Sequence, residues 1–261
     1  MPRESGRVLL VGAGPGAADL LTLRAARAIE AAGAVLYDAL VGEEILALAP
    51  AGCLKIQTGK RAGRASMGQQ TINALMLRLA RRGLCVVRLK GGDPSIFGRS
   101  GEEADFLRGH GIEVEIVPGV TAASAAAAQF GFPLTHRGEA RRLVLATVRT
   151  GDGEVTGAGW RALADPETTV ALYMGRDSAA EAARRLVAEG RDSGTPAIAV
   201  ENASRPDARL IRARLDGLGE AVAGAGFTGP VLLVIGEATA RAGAAADRTD
   251  DPFQFDMRRS G

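Results

Sequence analysis

A short apolar run, Val8 to Val11, delivers the chain to Gly12, Gly14 and Gly16, with Ala17 behind them. Glycines at a strand end leave backbone N–H and C=O groups bare for close approach, and the spacing G-x-G-x-x-A can seat a pyrophosphate. Asp38, at the end of the next apolar run, stands where a ribose-binding acid would be sought. One feature opposes that reading. A dinucleotide loop is itself a helix N-terminus, because the pyrophosphate sits on the free N–H groups there. Here Pro15 and Gly16 are followed by "AADLL", and the best helix cap is Thr22. A dinucleotide-dependent oxidoreductase is therefore a remote alternative, beside the plainer reading of a glycine-rich turn at a strand end.

A second pair, Gly91 and Gly92, ends the run "CVVRLK" and leads into Asp93. It too leaves backbone bare for a polar ligand, although Asp93-Pro94 on its own would simply start a turn. Lysine is scarce: among 32 basic residues only Lys55, Lys60 and Lys90 are lysines, so each departs from the chain's habit of using arginine. Cys53 and Cys85 show no metal-ligand spacing and His110 and His136 are scattered, so no metal site is expected. The formal charge of +2 offers no broad basic surface, which argues against nucleic acid as partner. Any strongly anionic ligand must be met by a local group of arginines. The polar Met1–Arg7 segment is no signal peptide, and no uncharged run approaches the ~18 residues of a membrane helix. A soluble, cytoplasmic protein with reduced thiols and no membrane partner is expected.

These residues need a scaffold, and the first half supplies one by alternating strand-like and helix-like runs. "RVLLVG", "AVLYDAL", "LKIQTG", "CVVRLKGGD" and "EVEIVPG" read as strands. Between them lie "LRAARAIEAA", capped by Thr22 and closed by Gly33, then "MGQQTINALMLRLARRG" and "GRSGEEADFLRGHG". A small-residue helix, "GVTAASAAAAQFGFP", follows. "PLTHRGEARR" breaks the alternation, which divides the chain into domains 1–135 and 136–245 and a polar tail 246–261. The second domain carries "RLVLATV", "TTVALYMG", "SAAEAARRLVAEG", "PAIAVENA", "RLIRARLDGLGEAV" and "PVLLVIGEAT", with strands expected in a mixed sheet. The fold class is α/β.

"VGAGPGAADLLTLRA", "LYDALV", "GKRAGR", "RLKGGDPSIFGRSGEE", "VPGVTAASAA" and "PLTHR" occur in that order, and the set resembles uroporphyrinogen III C-methyltransferases of the tetrapyrrole methylase family. The resemblance runs from about Val8 to Glu237. It implies two α/β domains unlike the Rossmann methyltransferases, an active site in the cleft between them, and S-adenosylmethionine as methyl donor, released as S-adenosylhomocysteine. It places Pro15, Gly91, Gly92, Asp93, Ile96, Thr121, Ala122, Met174, Ala203 and Pro230 against that cofactor, with Asp93 on a ribose hydroxyl or the ammonium group. The implied substrate is a small-molecule tetrapyrrole rich in carboxylates, for which Arg61, Arg64, Arg99, Glu102 and Arg149 are the candidate contacts. Arg99 and Glu102, three apart, would share a helix face.

The implied reaction converts uroporphyrinogen III to precorrin-2 by methylation at ring carbons 2 and 7, for sirohaem or cobalamin synthesis. Asp38, Lys60 and Arg99 are the acid/base candidates; Arg99 ranks first for substrate binding, because an arginine is a poor base unless its pKa is lowered. A homodimer is implied as well. The chain departs from the family pattern at Ala17 and Ala18, at Ala65, at the Thr147–Arg149 strand end and at Ala203, which stands where a glycine would leave backbone bare. Those departures keep two alternatives open: a methylase of a later precorrin, and a protein that binds tetrapyrrole or cofactor without turnover.

Overall fold

The computed structural model describes residues 6–59, 67–150, 153–154 and 157–243. Two compact units divide between Thr121 and Ala122.

The first unit runs β1 (Val8–Gly12), α1 (Leu23–Glu30), β2 (Ala34–Tyr37), α2 (Glu43–Leu46), β3 (Leu54–Gln57), α3 (Gln69–Ala80), β4 (Val86–Lys90), α4 (Ser100–Gly109) and β5 (Val114–Val117). Its sheet has the order β3-β2-β4-β1-β5, with every neighbour parallel. Both faces are covered, which is why β1 and β4 are buried along their whole length and read as unbroken runs. Val8, Leu10, Leu36 and Val86 turn toward the cluster that includes α3 and α4. Leu9, Val11, Val35, Val87 and Leu89 turn toward α1 and Ile45 of α2. β4 lies between β2 and β1, an order the dinucleotide-binding fold does not have.

Local signals account for the helix ends. The Thr22 hydroxyl accepts from the Ala25 N–H at 3.1 Å and starts α1. Gly33 does not close that helix, which stops at Glu30; its N–H donates to the Cys85 carbonyl at the head of β2. Gly83 and Gly111 lie just beyond α3 and α4 with φ of 85° and 75°, the left-handed geometry of a glycine stop.

The second unit contains α5 (Ala122–Gln129), β6 (Arg142–Thr147), β7 (Arg149–Thr150), β8 (Gly153–Glu154), α6 (Gly157–Leu163), β9 (Thr168–Tyr173), α7 (Ala179–Ala188), β10 (Pro196–Glu201), β11 (Arg209–Arg214), α8 (Leu218–Gly224) and β12 (Val231–Ile235). The five-stranded sheet, β11-β10-β12-β9-β6, is mixed: β6 and β9 are parallel and the other pairs antiparallel. "RLIRARLDGLGEAV" divides into β11 and α8. The units part before α5 and not at residue 135, and packing explains the difference. Ala123, Ala126 and Ala127 of α5 are buried with Ala171, Ile198, Val200 and Val234 of the second sheet. No helix among the described residues is long and apolar enough to cross a membrane. The tail 246–261 lies outside the described residues.

Candidate active site

The glycines of the first unit meet one another. The Gly14 N–H donates to the Gly92 carbonyl at 3.2 Å, the Gly92 N–H returns to Gly14 at 2.7 Å, and Ala13 N–H reaches the Lys90 carbonyl at 2.8 Å. Gly14 and Gly92 have φ of 69° and 71°. A Cβ on Gly12 would stand 2.7 Å from the Gly119 Cα, the Gly119 N and the Gly92 oxygen. Three loops therefore pack backbone to backbone at the carboxyl ends of β1, β4 and β5. At Gly12 and Gly119 glycine is needed because a Cβ would run into that backbone. The chain leaves β1 toward β2 and leaves β4 toward β5, so these adjacent ends form the kind of switch point at which open α/β sheets bind ligands. No helix starts at the glycines; a single 3-10 turn, Ala18–Leu20, intervenes before α1. On Gly92 the position of a Cβ has nothing within 4 Å, so this backbone faces open space. Pro15, next to Gly14, and Ile96, four residues after Gly92, are half-buried.

Two carboxylates tie this platform together. Asp38 Oδ1 accepts from Leu40 N–H at 2.9 Å, and Oδ2 accepts from Gly91 N–H at 3.0 Å, which joins the end of β2 to the end of β4. Asp93 Oδ1 accepts from both the Ser95 N–H, at 2.7 Å, and the Ser95 hydroxyl, while Oδ2 accepts from Gly119 N–H at 2.9 Å. The Ile96 N–H closes a turn on the Asp93 carbonyl. Each acid thus has both oxygens engaged within the protein, and a ligand hydroxyl or ammonium would add to those bonds.

Arg99 sits one residue outside α4, in the left-handed region at φ 56°, and does not share a helix face with Glu102. The two form a bidentate pair, Nε to Oε1 at 2.8 Å and Nη2 to Oε2 at 2.6 Å, and both are more than half exposed. The hydrogen bond from Glu102 drives the Arg99 pKa further up, and Arg99 in turn holds the Glu102 carboxyl below its usual range. The guanidinium remains a cation able to meet an anion, and the lowered pKa that proton transfer would need is absent. Lys60, Arg61, Arg64 and Ala65 lie outside the described residues, and Arg149 is located in β7 by its backbone, with its side chain outside them.

Beneath the glycine platform is a group that the sequence reading missed. Glu103 of α4 is fully buried and meets Lys90 Nζ with both oxygens, at 3.0 and 2.9 Å. Arg88 Nε reaches the same Oε1 at 3.3 Å, and Gln69 Nε2 reaches it at 2.9 Å. Burial, then the neighbouring Arg88, push the Lys90 pKa down against the pull of Glu103 and Asp38. The signal was present in β4, where Val86, Arg88 and Lys90 share one face by alternation, so two cations stand where a doubly covered strand should be apolar.

In the second unit Met174 follows β9 with φ 55° and is largely exposed. Ala203 lies between Asn202 and Ser204, whose φ values are 52° and 69°. Its methyl belongs to the buried cluster around Val200 and Phe130, so the alanine does not obstruct open backbone. The turn is held firmly. Ser204 N–H donates to Gln129 Oε1 at 2.7 Å, and Asn202 N–H donates to the Pro230 carbonyl at 3.1 Å. Buried Glu201 accepts from Thr228 and Gly229 N–H, both at 2.6 Å, and from Arg209. Burial disfavours the ionised form, but the Gly229, Arg209 and Thr228 donors outweigh it and hold the carboxyl below the ordinary glutamate value. Thr121 and Ala122 are half-buried on either side of the division between units. Among the described residues the non-glycine residues at positive φ are Phe97, Arg99, Met174, Asn202 and Ser204, all within or next to the motif loops, and such strain concentrates at functional sites. Among the described residues no cluster of metal-ligating side chains occurs.

Comparison with known proteins agrees with this geometry. Residues 7–219 match the family of tetrapyrrole (corrin/porphyrin) methylases. The chain is 45% identical over 237 residues to a uroporphyrinogen-III C-methyltransferase of Paracoccus denitrificans, covering 91% of this chain and 83% of that protein. It is 45% identical to a siroheme synthase of Methylococcus capsulatus over 89% of its own length, and it spans about half (49%) of that longer protein. The crystal structure of a uroporphyrin-III C-methyl transferase from Thermus thermophilus, complexed with S-adenyl homocysteine, superposes with a TM-score of 0.77 at 43% identity, covering 90% of this chain and 99% of that one. With most of its length matched to the family model and to such relatives, the chain belongs to the tetrapyrrole methylase family.

Proposed function

We propose that this protein is an enzyme that transfers methyl groups from S-adenosylmethionine to uroporphyrinogen III, at ring carbons 2 and 7, to give precorrin-2 for sirohaem or cobalamin synthesis. The observation that carries the reading is the open backbone at Gly92 within the Gly12–Gly14, Gly91–Asp93 and Gly119 platform, in a chain so similar to a structure complexed with S-adenyl homocysteine. The residues present fit such a donor. Bare backbone admits it closely, Pro15 and Ile96 supply apolar wall, and Asp93 holds the Gly119 loop in place. Gly91, Thr121, Ala122, Met174, Ala203 and Pro230 complete the proposed contacts.

The donor supplies an electrophilic methyl on a sulfonium. The nucleophile is an electron-rich pyrrole carbon of the substrate, so no covalent enzyme intermediate is required. The protein must align carbon with methyl, exclude water and accept the proton that the carbon releases. Arg99, kept cationic and in the required fork by Glu102, takes a substrate carboxylate; Arg61, Arg64 and Arg149 are proposed for others. Lys60 and Asp38 remain the proposed acid/base groups, and Asp38 combines that role with holding Gly91. A cytoplasmic homodimer belongs to the same reading.

The test is anaerobic incubation with S-adenosylmethionine and enzymatically generated uroporphyrinogen III, followed by mass spectrometry of the oxidised products. Gain of two methyl groups is expected. No methylation, with donor still bound, overturns the substrate assignment in favour of a later precorrin or binding without turnover. A single species of monomer mass in size-exclusion light scattering would refute the dimer.

A further inference from the structure

We propose that Arg88, Lys90 and Glu103 are positioning residues: a buried charge lock that sets the conformation of the Gly91–Arg99 loop. The proposal rests on the function proposed above, because that loop carries the donor contacts and Arg99.

The lock grips both ends of the loop. Lys90 is the residue before it, at the end of β4, and Glu103 is in the first turn of α4, which the loop enters. The Glu103 N–H also donates to the Arg99 carbonyl, at 3.4 Å. Bidentate contact of Lys90 Nζ with both Glu103 oxygens fixes the helix in rotation as well as distance. Arg88 braces the carboxylate from two residues back and anchors itself on the Leu36 and Leu89 carbonyls, at 3.3 and 3.2 Å. Gln69, which also donates to Asn73 at 3.0 Å, ties α3 to the same oxygen.

Charge balance links the lock to the platform. Two buried cations share one buried carboxylate, and the field of Asp38 also acts on Lys90. Asp38 is the side chain that holds the Gly91 N–H. Asp38 thus holds the first loop glycine by a hydrogen bond while its charge favours the cationic form of Lys90. A buried ion cluster is not the cheapest way to fill a core, since apolar residues of equal volume are often as stable. What charges add is direction. Here they add it between a strand end and a helix start with nine loop residues, 91–99, between them.

The experiment compares Glu103→Gln with Leu107→Ala. Leu107 is a fully buried α4 residue of the apolar cluster and serves as a destabilised control that leaves the lock intact. Binding of S-adenosylhomocysteine is measured by calorimetry, KM for the donor and kcat in the anaerobic assay, and the unfolding midpoint for each protein. Glu103→Gln is expected to raise Kd and KM about tenfold or more while kcat at saturating donor stays within about threefold; Leu107→Ala should move Kd by less than about twofold at a similar loss of midpoint. An unchanged Kd in folded Glu103→Gln, or an equal rise in Leu107→Ala, overturns the lock. If Glu103→Gln does not fold, the triple variant Arg88→Met, Lys90→Met and Glu103→Leu removes all three charges together, and wild-type binding by that protein overturns the proposal equally. Failure of the wild-type protein to bind would refute the functional reading and not the lock. The lock is then read from hydrogen exchange of the Gly91–Arg99 amides, expected faster in Glu103→Gln and unchanged in Leu107→Ala; equal protection in both overturns it.

Discussion

Replacing Gly12 by alanine isolates the steric demand of the platform, because Gly12 is not at positive φ and the substitution adds one methyl without a dihedral penalty. That methyl would lie 2.7 Å from three backbone atoms of Gly119 and Gly92, against 3.4 Å for ordinary contact, so the loops must retreat by about 0.7 Å. None of the three atoms belongs to a side chain that could rotate away. A retreat of that size stretches the Gly14–Gly92 pair, now at 3.2 and 2.7 Å, and the 2.9 Å bond from Gly119 N–H to Asp93. Two neutral bonds at about 1 kcal/mol each and one charged bond at about 1.5–3 kcal/mol bound the loss from above. Partial relaxation brings it toward the ~1–3 kcal/mol usual for overpacking. We expect a cost of about 3 kcal/mol in urea unfolding followed by far-UV circular dichroism, with at least about tenfold weaker binding of S-adenosylhomocysteine. Gly101→Ala is the control: it lies in α4 with nothing within 4 Å of the added methyl, and should stabilise by up to about 1 kcal/mol. A Gly12→Ala protein as stable as wild type would refute the close-packing argument.

Other perturbations test other parts of the site. Arg99→Leu should raise KM for the tetrapyrrole about tenfold or more and leave the unfolding midpoint unchanged, since exposed pairs contribute little to stability; an unchanged KM removes Arg99 from the substrate contacts. Asp38→Asn keeps one acceptor oxygen for two N–H donors, so it should lose about 1–3 kcal/mol in urea unfolding; full stability would mean that the β2–β4 tie is not needed. Glu201 has its pKa depressed in the folded state, so its contribution is fully present above the unfolded value and is lost as pH falls through the folded one. Thermal midpoints of wild type should therefore drop below roughly pH 4.3, with a shallower fall in Glu201→Gln; parallel curves would contradict the assignment.

Much of this was legible because strongly periodic signals met no tertiary competition. The five strand runs of the first half, the Thr22 cap and the glycine stops of α3 and α4 all rest on local chemistry. The separation of "GAGPG" from its helix is visible in the placement of Thr22 alone, and it makes the dinucleotide reading a remote one. Three things were not legible, each for a physical reason. The division before α5 was one, because a helix of alanines carries no pattern to say which sheet it covers; the methyls of Ala123, Ala126 and Ala127 choose the second. The glycines' purpose also needs three dimensions, since Gly12, Gly92 and Gly119 are far apart in sequence and touch only once β1, β4 and β5 are aligned. The charge lock joins a strand to a later helix across a loop, a pairing that alternation suggests but cannot complete.

The order β3-β2-β4-β1-β5 also bears on how the protein is made. β1 is made before the other strands of its sheet, yet both of its neighbours come late: Val8 pairs with Val86 on one side and Val114 on the other. Until then "VLLVG" has two unpaired edges and two apolar faces, while β2 and β3 can already pair with each other. Such long sequence separations slow folding, and an uncovered apolar strand is a template for pairing with another chain. The nascent first unit therefore has an extended interval of aggregation risk that ends only when β5 has been synthesised and closes the far side of β1.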